Sequence, residues 1–192
     1  MMNLTDFLKS RCFPDLEGHC GDIPMQQRSM RTIVKHTNIR NMLEIGFNAG
    51  HSAELILEAN PYLHLTSYDI GEHDYVSAAK EYIDIKFPGR HTLILGDSKV
   101  MVPQDKKRYD AFFIDGGHDY ETALADVLNC KKLANQSAIV MIDDIMLKDE
   151  WAASWTIGPT QAVSECVKNG LISELFVSQY CPGRGMFAGY YN

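Results

Sequence analysis

The stretch from Met42 to Ser52, Met-Leu-Glu-Ile-Gly-Phe-Asn-Ala-Gly-His-Ser, constrains the fold of this chain more than any other. An apolar run carrying Glu44 gives way to a turn with Gly46 and Gly50. An amphipathic segment (Ala53, Leu55, Ile56, Leu57) follows at once and stops before Pro61. Strand, glycine turn and helix in that order bring backbone N–H groups and a helix N-terminus to one edge of a sheet. Gly46 permits a tight turn, and Gly50 permits a close backbone approach to a ligand. The stretch reads as the loop of a nucleotide-type cofactor.

The alternation continues along the chain. A helical region through Met25–His36, with Met30, Ile33 and Val34 as its buried face, precedes the first strand at Met42–Ile45. Next come a helix to Asn60, a strand at Leu63–Tyr68 ending in Asp69, and a helix over Tyr75–Phe87 broken by Pro88-Gly89. A third strand covers Thr92–Leu95, and a fourth, Ala111–Ile114, ends in Asp115. The helix Tyr120–Leu133 carries Tyr120, Leu124, Val127 and Leu128 at helical spacing. A fifth strand, Ala138–Ile142, ends in Asp143-Asp144. A loop with Trp151 and Trp155 then leads to a helix from Thr160 to Lys168, closed by Gly170. Two β-like runs, Ile172–Tyr180 and Met186–Tyr191, flank Cys181-Pro182-Gly183 and suit an antiparallel hairpin. This order predicts an α/β, doubly wound, mostly parallel sheet of seven strands, with helices on both faces and an antiparallel C-terminal hairpin. A chain of 192 residues with 45 % hydrophobic content suits one domain, 1–192.

Composition removes several function classes. The net charge is −7, and the one compact basic run, Lys106-Lys107-Arg108, sits between acids and reads as a solvated loop. A nucleic-acid partner is not expected. No apolar run approaches the roughly 18 residues of a membrane span. Five cysteines without a close C-x-x-C pair, and no recognisable leader, point to reduced thiols and a cytoplasmic protein. Cys12, His19 and Cys20 lack a second ligand pair at metal spacing, so they are a poor zinc site.

In an open α/β sheet the ligand lies beyond the carboxyl ends of the strands. Glu44, Asp69, Asp115 and Asp143-Asp144 all fall there, and Asp97 lies just past the third strand. Asp69 is 23 residues after Gly46, the spacing of a carboxylate that accepts both ribose hydroxyls. If strands four and five are neighbours, about 4.8 Å apart, then Asp115, Asp143 and Asp144 converge. No Lys or Arg between Ala111 and Cys130 offsets them. Such crowding calls for a proton or a cation, and Mg²⁺ suits an all-oxygen set. His118, in Asp115-Gly-Gly-His118-Asp-Tyr, titrates near neutral pH and could accept a proton.

These segments resemble the class I S-adenosylmethionine-dependent methyltransferases, and within them the catechol-type and related small-molecule O-methyltransferases. Glu44-Ile-Gly46-Phe47-Asn48-Ala-Gly50-His-Ser52 is similar to the first cofactor motif, with Asn48 where many members have glycine. Tyr68-Asp69-Ile70 is similar to the ribose motif, and Gly96-Asp97-Ser98 to the segment that contacts adenine. Tyr109 to His118 and Val140 to Asp144 are similar to the two metal-holding segments. Two departures stand out: Asp144 replaces an asparagine of the catechol-type enzymes, and His118 replaces their lysine base. The resemblance covers residues 25–145 and implies a Rossmann-like fold, with residues 1–40 contributing to the acceptor side.

The resemblance also implies in-line methyl transfer to an oxygen of a small-molecule acceptor. Mg²⁺ would sit at Asp115, Asp143 and Asp144, and His118 would act as base. A homodimer through the N-terminal helices or the terminal hairpin is a further expectation. Three alternatives stay open: a metal-independent methyltransferase of the same class, a nicotinamide-dependent oxidoreductase, and an inert cofactor-binding subunit. The oxidoreductase fits poorly, because Asn48 stands where its fingerprint needs glycine.

Overall fold

The computed structural model describes residues 2–17, 19–36 and 38–192. Two short helices lead in, α1 (Leu4–Ser10) and α2 (Pro24–Val34). Alternation then sets in: β1 (Asn41–Ile45), α3 (His51–Ala59), β2 (His64–Asp69), α4 (Val76–Lys86), β3 (His91–Leu95), α5 (Ser98–Met101) and β4 (Tyr109–Ile114). After α6 (Tyr120–Leu133) come β5 (Ala134–Asp143), α7 (Ser154–Lys168), β6 (Ile172–Cys181) and β7 (Arg184–Tyr191). The strands form one sheet in the order β3-β2-β1-β4-β5-β7-β6. Strands β1 to β5 pair in parallel, and β7 runs antiparallel to both β5 and β6. The doubly wound, mostly parallel seven-stranded sheet expected from sequence is therefore present, hairpin included.

Strand residues alternate between two cores, as a pleated strand with both faces covered requires. On β1, Met42 joins α1 to α4 on one face, and Leu43 and Ile45 join α6 and α7 on the other. On β4, Phe113 and Phe112 divide in the same way, both fully buried. The chain order reverses between β1 and β4, which opens a crevice at their carboxyl ends. Asp115 N donates to Ile45 O at 2.9 Å, which ties the two strand ends together.

Two boundaries differ most from the sequence reading. β5 begins at Ala134, four residues early, because Tyr109 pairs with Ala134 before a register shift around Ser137 (φ +57°). α7 begins at Ser154, so Trp155 and Pro159 are helical and not part of a loop. Thr156 Oγ1 accepts from Ala153 N at 3.1 Å and anchors the first turn. Among the described residues, no helix is long and apolar enough to cross a membrane, and all five cysteines are free.

Candidate active site

Two adjoining cavities occupy the crevice. The first, about 410 Å³, is lined by Gly46, Asn48, Asp69, Ile70, Asp97, Ser98 and Asp115 among others. The second, about 300 Å³, is lined by His118, Asp143, Asp144, Trp155 and Arg184. Glu17, Asn48, Asp115 and Gly116 face both. The glycine turn and the late aspartates thus open onto one shared cleft.

The turn is built for closeness. Gly46 has φ +91°, and a Cβ there would stand 1.8 Å from Asp115 O. Asn48, also left-handed at φ +48°, is held on three sides. Its N–H donates to Asp69 Oδ2 at 2.7 Å, its Nδ2 to Glu17 Oε2 at 2.7 Å, and its Oδ1 accepts from Tyr75 OH at 2.7 Å. Asp69 also accepts from Gly71 N at 2.7 Å, so both of its oxygens brace the wall they line. Ile70, 61 % exposed, offers an apolar face at the rim.

Four of the sequence-nominated residues lie beneath this wall. Glu44 is fully buried and accepts from Ser52 Oγ and Ser67 Oγ, both at 2.5 Å. Burial raises its carboxyl pKa to about 7, against those two hydrogen bonds. Phe47 folds inward onto His91, with ring centroids 5.0 Å apart, and Gly50 makes room for the Phe47 ring. Glu44, Phe47, Gly50 and Ser52 therefore support the turn and do not line the larger cavities. The freedom of Gly50 serves the Phe47 contact and the φ +80° start of α3.

Ser98 is held from behind. Its Oγ donates to Asp126 Oδ1 at 2.6 Å, and Asp126 is wholly buried with its second oxygen unpartnered. Burial raises the Asp126 carboxyl to about 6.

The carboxylates at the second cavity are sorted differently from the sequence expectation. Asp115, His118 and Asp144 bring one ligand atom each within 4.8 Å of one another. Asp143 is not in that set. Its Oδ2 accepts from the buried Gln26 Nε2 at 2.6 Å, and its Oδ1 from Asp144 N at 2.9 Å. Successive strand residues face opposite sides of a sheet. Asp143, paired with Met186, thus faces α2, whereas Asp144, at φ +58°, turns into the cleft. Of the three carboxylates expected to converge, Asp115 and Asp144 lie together with His118, and Asp143 turns its oxygens to Gln26 and the Asp144 backbone.

Electrostatics follow from this crowding. Burial, and then the charges of Asp143 and Asp144, push the Asp115 carboxyl well above the usual range. Burial and Asp144 push Asp143 up to about 6. His118 Nε2 lies 3.0 Å from Asp144 Oδ2, and this hydrogen bond raises the imidazole pKa against its partial burial. The positive charge of Arg184, from the far hairpin, acts on both Asp115 and Asp143. A search for cations near Asp115 in sequence misses it, as it misses Glu17, Gln26 and Asp126. Only the position of β7 beside β5 could have pointed to Arg184.

Comparisons with known proteins agree with this fold. A family model described as a methyltransferase domain matches residues 43–145. The fold is similar to that of an O-methyltransferase from Bacillus cereus in complex with SAH. That likeness has 17 % identity over 98 % of this chain and 89 % of that one, with TM-score 0.75. A SAM complex of an O-methyltransferase of tomaymycin synthesis from Streptomyces achromogenes gives 14 % identity, coverage of 98 % and 87 %, and TM-score 0.74. An SAH-bound methyltransferase from Podospora anserina gives 18 %, coverage of 98 % and 86 %, and TM-score 0.70. No curated protein matches the chain.

Proposed function

The chain belongs to the methyltransferase-domain family, and from that premise we propose that it moves a methyl group from S-adenosylmethionine to a hydroxyl oxygen of a small molecule. The observation that carries this reading is the pair of cavities meeting along Asp115, one lined as a nucleoside cleft and the other by acid and base groups. Asp69 would hold the ribose hydroxyls, Ile70, Asp97 and Ser98 the adenine, and the Gly46–Asn48 turn the amino-acid end. Bound there, S-adenosylmethionine supplies a methyl on a sulfonium, open to in-line displacement.

The protein's part is alignment and proton management. Holding two reactants in line makes a bimolecular step effectively unimolecular, worth up to about 7–11 kcal/mol. Asp144 holds His118 through Nε2, which leaves Nδ1 as the atom to take the acceptor's hydroxyl proton. Glu17 and Trp155 close the acceptor side.

Asp115, His118 and Asp144 also fit a divalent cation, since their donor atoms lie close enough to share one. A cation there would polarise the acceptor oxygen and lower its hydroxyl pKa. Two carboxylates with an imidazole suit Mn²⁺, Fe²⁺ or Zn²⁺ better than Mg²⁺, which prefers oxygen donors. A metal-free reading has its own support in the His118–Asp144 pair and the Arg184 charge. Calorimetry with S-adenosylhomocysteine, with and without Mn²⁺ or Mg²⁺, tests both. Binding of the nucleoside is expected with or without metal, followed by a metal-dependent second event. Failure of S-adenosylhomocysteine to bind overturns the reading, and full turnover in excess chelator removes the metal from it.

A further inference from the structure

The second cavity contains a cation, Arg184, whose side chain makes no hydrogen bond or ion pair among the described residues. Arg184 opens β7, directly after the Pro182-Gly183 turn. That turn is strapped in place: Gly183 N donates to Trp151 O at 2.7 Å, and Trp155 Nε1 donates to Gly183 O at 3.1 Å. On the other side, a Cβ at Gly185 would stand 2.1 Å from Ile145 O, so the strand cannot slide. The backbone that presents Arg184 is therefore fixed on both flanks.

The side chain is not spent on its neighbours. Its Nε is buried with no hydrogen-bond partner among the described residues. Among the described residues, Arg184 forms no ion pair within 4.0 Å, although Asp115, Asp143, Asp144 and Glu17 line the same cavity. A guanidinium placed to neutralise those acids would fork onto one of them, because the bidentate pair is the strong arrangement. Arg184 lines the cavity with them and pairs with none of them within 4.0 Å. That space, about 300 Å³ with the Trp155 ring on its wall, falls in the range of small-ligand pockets.

We propose that Arg184 binds a carboxylate carried by the methyl acceptor, so that the substrate is a hydroxylated acid. The inference rests on the methyltransferase reading of the cleft and goes beyond it by naming the substrate's second functional group. A planar acid would lay its ring near Trp155, put its carboxylate on the guanidinium fork, and reach Asp115, His118 and Asp144 with its hydroxyl.

The test is calorimetry on the S-adenosylhomocysteine complex of the full chain, with 3,4-dihydroxybenzoate and its methyl ester as probes. The two share both hydroxyls and the ring and differ in the charge. The acid is expected to bind at least about tenfold more tightly, the low end of a charge-assisted hydrogen bond. Arg184→Gln should abolish that preference, and Arg184→Lys should retain part of it, since an ammonium keeps the charge and loses the fork. Binding of S-adenosylhomocysteine by each variant certifies its fold. If Arg184→Gln does not fold, the wild-type preference and its reduction in Arg184→Lys decide. Equal affinities, no binding of either probe, or a preference that survives Arg184→Gln overturns the proposal. Failure of the wild type to bind S-adenosylhomocysteine overturns the methyltransferase reading itself, so the two failures are separable.

Discussion

Single side chains in the cleft do opposite things with similar chemistry. His118 leans on Asp144, which raises its pKa above the ordinary 6.5. It must be neutral to accept a proton, so turnover should climb as pH rises through that elevated value. His118→Ala should cost about 10²–10⁴-fold in rate and recover partly at high pH, where the acceptor ionises unaided. A wild-type pH–rate profile without such a limb would argue against the base. Glu44 is buried on two serine hydroxyls and keeps its proton up to about pH 7, where an exposed glutamate loses it near 4.5. The folded state binds more protons than the unfolded one across that window. The contribution of Glu44 to stability is therefore full below pH 4.5 and lost as pH rises through 7. Glu44→Gln should flatten the fall in melting temperature over that range relative to wild type; parallel curves would show that Glu44 does not titrate there. Glu44 and Asp143 both sit at strand ends, and sequence alone marked both as site groups. The strand pleat gives Glu44 to the supporting side and turns Asp143 toward Gln26, at the edge of the second cavity, and that depends on which face each residue takes at the very end of its strand.

At the level of elements, strand and helix order was legible because the period changes from 2 to 3.6 at clear glycine and proline breaks. The start of α7 was not. Gly158 and Pro159 look like a helix stop, yet Gly158 packs against the His118–Tyr120 backbone, where a Cβ would stand 2.3 Å from His118 O. That close approach seats the first turns of α7 against the His118–Tyr120 segment, and α7 carries Trp155 to the cavity. The β1–α3 turn makes a similar demand at Gly46. Gly46→Ala would impose a left-handed φ on a Cβ directed at Asp115 O. We expect a loss of about 2 kcal/mol or more, read as a lowered urea midpoint, together with weaker S-adenosylhomocysteine binding. A midpoint equal to wild type would mean that the β1 and β4 ends are not locked as described. The buried Gln26 ties α2 to the end of β5 through Asp143. Gln26→Leu should leave Asp143 without that partner and raise its pKa further, visible by NMR titration of the carboxyl carbon.

For the whole molecule, the first cavity was nearly readable from sequence, because nearly all of its residues come from the strand–turn units that follow β1, β2, β3 and β4, with Glu17 the exception. The second was half readable. Asp115, His118 and Asp144 follow from the fourth and fifth strands, but Arg184 is supplied by β7 and Glu17 by the segment between α1 and α2. No local pattern links residues so far apart. Because S-adenosylhomocysteine would bind only the folded state, saturating it at 100 times Kd should stabilise the chain by about 2.7 kcal/mol. A melting temperature indifferent to the ligand would count against the cleft as its site.

The placement of β7 between β5 and β6 bears on how the chain can assemble during synthesis. β6 leaves the ribosome before the strand that must separate it from β5 exists. Until residues 184–191 emerge, β5 presents an open edge that invites mispairing, and the anion-binding arm of the cleft is absent. Completion of the sheet and completion of the second cavity are thus a single event.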